Sequence, residues 1–78
     1  MEEKLRLSPG DTLRHDRHEE KGYMGQIDVD YYSVIDKNGS IVGSVIYTQD
    51  MAIKGFKVTY SLIQKGISGE IILETTWQ

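Results

Sequence analysis

Apolar residues fall on alternate positions along Phe56-Lys57-Val58-Thr59-Tyr60-Ser61-Leu62, the period of two that a half-buried strand requires. Glu70-Ile71-Ile72-Leu73-Glu74-Thr75-Thr76-Trp77 supplies its partner, with Gly66 and Gly69 in the connection. One register pairs Leu62 with Ile71, Tyr60 with Leu73, Val58 with Thr75 and Phe56 with Trp77, and makes Trp77 a core anchor.

An earlier ribbon is marked more sharply. Asp36-Lys37-Asn38-Gly39-Ser40 places Asn-Gly, the pair suited to both positive-φ positions of a type I′ turn, between two runs rich in β-branched and aromatic residues, 27–35 and 41–48. A two-residue loop fixes every cross-strand pair. Ile35 then faces Val42, Ser33 faces Ser44, Tyr31 faces Ile46 and Val29 faces Thr48, on the side expected to form the core.

The other side of this ribbon is acidic at its rim, with Asp28, Asp30 and Asp36, and apolar in its middle, with Tyr32, Val34, Val45 and Tyr47. A contiguous apolar patch of this kind demands a cover. Either the N-terminal segment or a second copy of the chain supplies it.

The rest of the pattern is weaker. Lys4-Leu5-Arg6-Leu7 and Thr12-Leu13-Arg14 suggest short strands around Ser8-Pro9-Gly10-Asp11, where Pro9 and Gly10 suit the centre of a type II turn. Residues 15–22 are charged and polar throughout and read as a surface loop. The linker 48–55 has room for a helical turn capped by Asp50 and ended by Gly55. The expected class is all-β, or β with one short helix: two antiparallel hairpins forming a small sheet, a sandwich or a partly open barrel.

Length and composition then limit the options. A chain of 78 residues predicts one small β domain over 1–78. A domain of this size buries only about 60% of its unfolded surface, so added support is expected. With no cysteine, disulfides and thiolate zinc sites are excluded, which leaves self-association as the common remedy. The N-terminal residues lack the apolar run of a secretory signal and no segment approaches a membrane span, so the expected compartment is the cytoplasm. Twelve acidic residues against nine basic ones give a net charge of −3, which speaks against a duplex nucleic acid as partner.

Three groups could carry chemistry. His15 and His18 lie beside Asp16, Glu19 and Glu20, donors that zinc, nickel or manganese accept. That spacing calls for a helical turn, and Arg17 and Lys21 would repel a cation, so a solvated loop without metal is expected. Asp28 and Asp30 alternate on one strand face, roughly 6.5–7 Å apart by strand rise, near the spacing of some glycosidase carboxylates. Catalysis also needs a cleft, so a guard against edge pairing is the expected role. Lys54, Phe56, Lys57 and Tyr60 have some likeness to an aromatic strand that stacks single-stranded RNA, but the expected register uses the two aromatics in the core.

Nucleophile elbows and phosphate loops are missing from the sequence, so neither an enzyme nor a cofactor is expected. The sequence points to a binding module acting through its sheet surface, with Tyr32, Val34, Val45 and Tyr47 as the contact. The partner is a second copy or another protein, with no membrane. A single-stranded nucleic-acid binder using Lys54, Lys57 and Tyr60 is the alternative, and a metal-dependent site at His15 and His18 the third.

Overall fold

The computed structural model describes residues 1–51 and 57–78. A short 3-10 turn at Glu2–Lys4 precedes five strands: β1 (Thr12–Lys21), β2 (Ile27–Ile35), β3 (Ile41–Met51), β4 (Val58–Gly66) and β5 (Ile71–Trp77). They form one open antiparallel sheet in the order β1-β2-β3-β4-β5, so each strand pairs with its neighbour in sequence. The all-β expectation is met in its open-sheet form. Among the described residues no helix is long and apolar enough to cross a membrane.

The β2–β3 hairpin pairs Ser33 with Ser44, Tyr31 with Ile46 and Val29 with Thr48, as its alternation predicts. Its tip is different. The Gly39 N–H donates to the Asp36 carbonyl and the Asp36 N–H to the Ser40 carbonyl, which makes Lys37 and Asn38 the central turn residues. Gly39 follows them at φ 84°, a left-handed conformation that glycine adopts without strain. The loop therefore has three residues and a bulge, and Ile35 pairs with Ile41 instead of Val42. Asp36 favours this form, because its Oδ1 accepts the N–H groups of Asn38 and Ser40, both at 2.9 Å.

The β4–β5 tip repeats the device, with Gly69 at φ 87° donating to the Gly66 carbonyl. Strand β4 therefore runs on to Gly66, and the register slides by four residues from the expected one. Tyr60 pairs with Trp77, Leu62 with Thr75 and Gln64 with Leu73, while Val58 lies opposite Met51 of β3. A slide of four keeps each side chain on its expected face. Phe56 lies outside the described residues.

Two further expectations change. Thr48 to Met51 continue β3, so Asp50 pairs with Ile27 and Thr59 within the sheet and caps no helix. The remainder of that linker lies outside the described residues. Residues 15–21 belong to the edge strand β1 and are no loop. The Ser8–Asp11 turn does form around Pro9 and Gly10, with the Asp11 N–H donating to the Ser8 carbonyl and Gly10 at φ 89°.

Residues 4–7 form no full strand. Instead Met1, Leu5 and Leu7 pack against Val34, Val45 and Leu62, which are 3%, 1% and 0% exposed. We call this the covered face. Burying side chains of this size contributes about 1.5–3 kcal/mol each relative to exposure. Gln64, itself buried, fastens the segment: its Oε1 accepts the Arg6 N–H at 2.9 Å and its Nε2 donates to the Arg6 carbonyl at 2.8 Å. Trp77 closes one end of this face, stacked 5.5 Å from Tyr60 and 6.2 Å from Tyr47, with the Lys4 ammonium 4.5 Å above its ring.

Tyr31, Ile46 and Ile63 project from the opposite face. None of the three is fully buried, whereas Val29 on the same face is 4% exposed; the cluster packed by the N-terminal segment lies on the other side. Among the described residues the packed cluster thus lies opposite the face expected to form the core, which we call the open face and which carries Val29 as its buried apolar residue. Side-chain alternation defines two faces but not which of them the N-terminal segment will cover.

Gln64→Leu keeps the volume but leaves both Arg6 backbone groups without their partner. We expect a loss of about 2 kcal/mol and loss of hydrogen-exchange protection at the Arg6 amide. Unchanged protection would show that the segment is held by apolar packing alone.

Candidate functional site

Strand β1 carries one residue more than its partner. Its pairing with β2 runs regularly from Thr12 opposite Ile35 to His15 opposite Tyr32, then resumes with Arg17 opposite Tyr31 and ends at Lys21 opposite Ile27. Asp16 is the extra residue of a β-bulge. Its carboxylate accepts the Ser33 hydroxyl at 2.5 Å and the Arg14 Nε–H at 2.8 Å, tying the bulge back to β2.

Residues three apart on a regular strand point to opposite faces. The bulge cancels that rule, so His15 and His18 project from the same face. Both rings reach one carboxylate oxygen: His15 Nε2 lies 2.9 Å and His18 Nδ1 2.7 Å from Asp30 Oδ1. The rim of the covered face thereby gathers His15, His18, Glu20, Asp28 and Asp30, with His18 directly opposite Asp30 and Glu20 directly opposite Asp28. Arg17 and Lys21, expected to repel a cation here, project from the open face beside Tyr31 and Ile27.

The electrostatics follow from these contacts. The Asp30 hydrogen bond raises the His18 pKa above its usual 6.5, with the charges of Asp30, Asp28 and Glu20 adding to it. Burial alone would raise the Asp30 pKa, but hydrogen bonds from His18 and His15 outweigh it and hold the carboxyl below its ordinary range. An ionised Asp30 can only accept, so the bonded His18 Nδ1 carries a proton. In the neutral ring the Nε2 lone pair is then free, and that atom lies 3.5 Å from Asp28 Oδ1.

The other expected site residues are placed differently. Val34 and Val45 are buried, and Tyr32 and Tyr47 pack against the same cluster as the N-terminal Met1, Leu5 and Leu7. Val34 and Val45 are core in this structure, while Tyr32 and Tyr47 are half-buried at its margin. Burial pushes both tyrosine hydroxyls up in pKa, the charge of Asp30 contributing to each. Asp28 and Asp30 lie on β2, between β1 and β3, so they guard no sheet edge. Of the proposed stacking strand, Lys57 is exposed, Tyr60 is stacked against Tyr47 and Trp77, and residues 54–56 lie outside the described residues.

The open face is the feature the sequence reading misplaced. Directly paired residues form a row across all five strands: Arg17, Tyr31, Ile46, Ile63 and Glu74. The Arg17 guanidinium stacks 4.1 Å from the Tyr31 ring centre. A depression of about 270 Å³ beside this row is lined by Asp16, Arg17, Tyr31, Ser44, Ile46 and Lys65 among others. That is below the roughly 300–1,000 Å³ of typical small-molecule pockets, so the surface suits a flat partner better.

Comparison with models of known families, with curated proteins and with solved structures finds no significant match.

A raised His18 pKa means that its bond to Asp30 contributes stability below the unfolded value near 6.5, and that this is lost as pH rises through the folded value. Titration of the His18 ring by NMR, with chelator present, should give a pKa above 6.5 that falls toward it in Asp30→Asn. Equal values in both proteins would contradict the assigned contact.

Proposed function

We propose that this protein is a non-enzymatic binding module that self-associates through the open face of its sheet. The observation that carries the reading is the row Arg17–Tyr31–Ile46–Ile63–Glu74, apolar at its centre and oppositely charged at its ends. Place a second copy face to face across a two-fold axis parallel to β3. The first strand of one copy then lies over the fifth of the other, so the row meets its own reverse.

Arg17 of each copy faces Glu74 of the other, Tyr31 faces Ile63, and Ile46 meets Ile46. Such an isologous contact needs a self-complementary surface, and this row has one. Sheets pack with about a 30° rotation, so complementarity is best at the centre, where Ile46 sits. Five strands about 4.8 Å apart, over about 27 Å of strand length, give a footprint on the order of 650 Å². That approaches the roughly 800 Å² per partner of a standard interface. The contact surface thus moves from Tyr32, Val34, Val45 and Tyr47 to the other side of the same sheet.

Sedimentation at micromolar concentration should find a dimer. Ile46→Glu buries an unpaired charge at the centre and should weaken association at least 30-fold without altering the circular dichroism. Arg17→Glu should also weaken it, and adding Glu74→Arg should restore it. A wild-type protein that stays monomeric to several hundred micromolar would overturn the reading.

A further inference from the structure

We propose that His18, Glu20 and Asp28 form a binding site for a divalent transition metal ion of the zinc class, with Asp30 orienting the imidazole. One donor atom from each of the three side chains lies within 4.8 Å of the other two. Within the set, His18 Nε2 and Asp28 Oδ1 are 3.5 Å apart. Two ligands of a tetrahedral ion at 2.0–2.1 Å are separated by about 3.3 Å, so small side-chain adjustments close the set.

Orientation is the stronger part of the case. Metal-binding imidazoles commonly donate their second ring N–H to a carboxylate, which fixes the tautomer and aims the free lone pair. His18 has this arrangement, with Nδ1 2.7 Å from Asp30 Oδ1 and Nε2 turned toward Asp28. In the neutral ring that lone pair faces a carboxylate and repels it, so Nε2 calls for a proton or a metal cation at this position. Glu20 and Asp28 also stand directly opposite each other across β1 and β2, where like charges destabilise a ladder. A metal cation held by Nε2 and both carboxylates takes the place of that proton and relieves the carboxylate pair as well.

Strand pairing and the bulge keep Arg17 and Lys21 on the other face. The side chains of His18 and Asp28 are 41% and 44% exposed, so an ion enters without unfolding the sheet. An imidazole with two carboxylates favours zinc, cobalt or nickel over calcium or magnesium, which prefer oxygen alone. Water completes the coordination shell. The site lies on the opposite side of the sheet from the proposed dimer contact, so either reading can fail without the other.

Zinc added to the chelator-free protein and followed by ¹⁵N NMR should shift His18 Nε2 and raise the melting temperature, whereas calcium should do neither. His18→Ala should weaken zinc binding at least 100-fold. Asp30→Asn, which leaves all three ligands in place, should weaken it about 10–100-fold. His15→Ala should change it less than threefold. Should His18→Ala unfold, the pair Glu20→Gln and Asp28→Asn serves instead, with the same loss expected. The proposal is overturned if millimolar zinc leaves His18 unshifted, or if the ligand variants bind as tightly as the wild type.

Discussion

Side chains on a strand alternate between faces, so one extra residue reverses the assignment of everything beyond it. Asp16 is that residue in β1, and the chemistry of the sheet's rim depends on it. With the bulge, His15, His18 and Glu20 share a face with Asp28 and Asp30, while Arg14, Arg17, Glu19 and Lys21 share the other. An unbroken register would set Arg17 opposite Asp30 and Glu19 opposite Asp28, and turn His18 and Glu20 away. The bulge itself rests on hydrogen bonds from Ser33 and Arg14 to one carboxylate.

The same sheet has two apolar faces and, among the described residues, one segment to cover them. Met1, Leu5 and Leu7 supply the cover where a larger domain would use a helix or a second sheet. Backbone groups in such an irregular segment still need partners, and Gln64 provides them for Arg6. A buried amide that accepts from and donates to one residue holds the segment in register over Val34, Val45 and Leu62. The opposite face keeps a smaller apolar row with charges at its ends.

Much of the fold is legible in the sequence. The central pairs of the β2–β3 hairpin follow from a turn signal and alternation that agree, and the Pro9-Gly10 turn from the φ values those residues favour. The errors have definite causes. Asn38-Gly39 suits a two-residue turn, but the Asp36 side chain captures two backbone N–H groups and favours three. The β4–β5 register slid by four residues because alternation tolerates any even shift. Charged residues of β1 read as a loop because an edge strand can be polar along its length.

The site was only half legible. Donor types at His15 and His18 are plain in the sequence, but their common face depends on a bulge held by Ser33, a residue far along the chain. No local pattern marks that contact. The choice of covered face is equally non-local, since it is made by three apolar residues at the N-terminus packing across the sheet.

Cross-strand nuclear Overhauser contacts between β1 and β2 test the bulge most directly. The account predicts that residue numbers of facing pairs step by one at Asp16, with His15 opposite Tyr32 and Arg17 opposite Tyr31. Contacts continuing in one unbroken register through Lys21 would separate the two histidines onto opposite faces and contradict it.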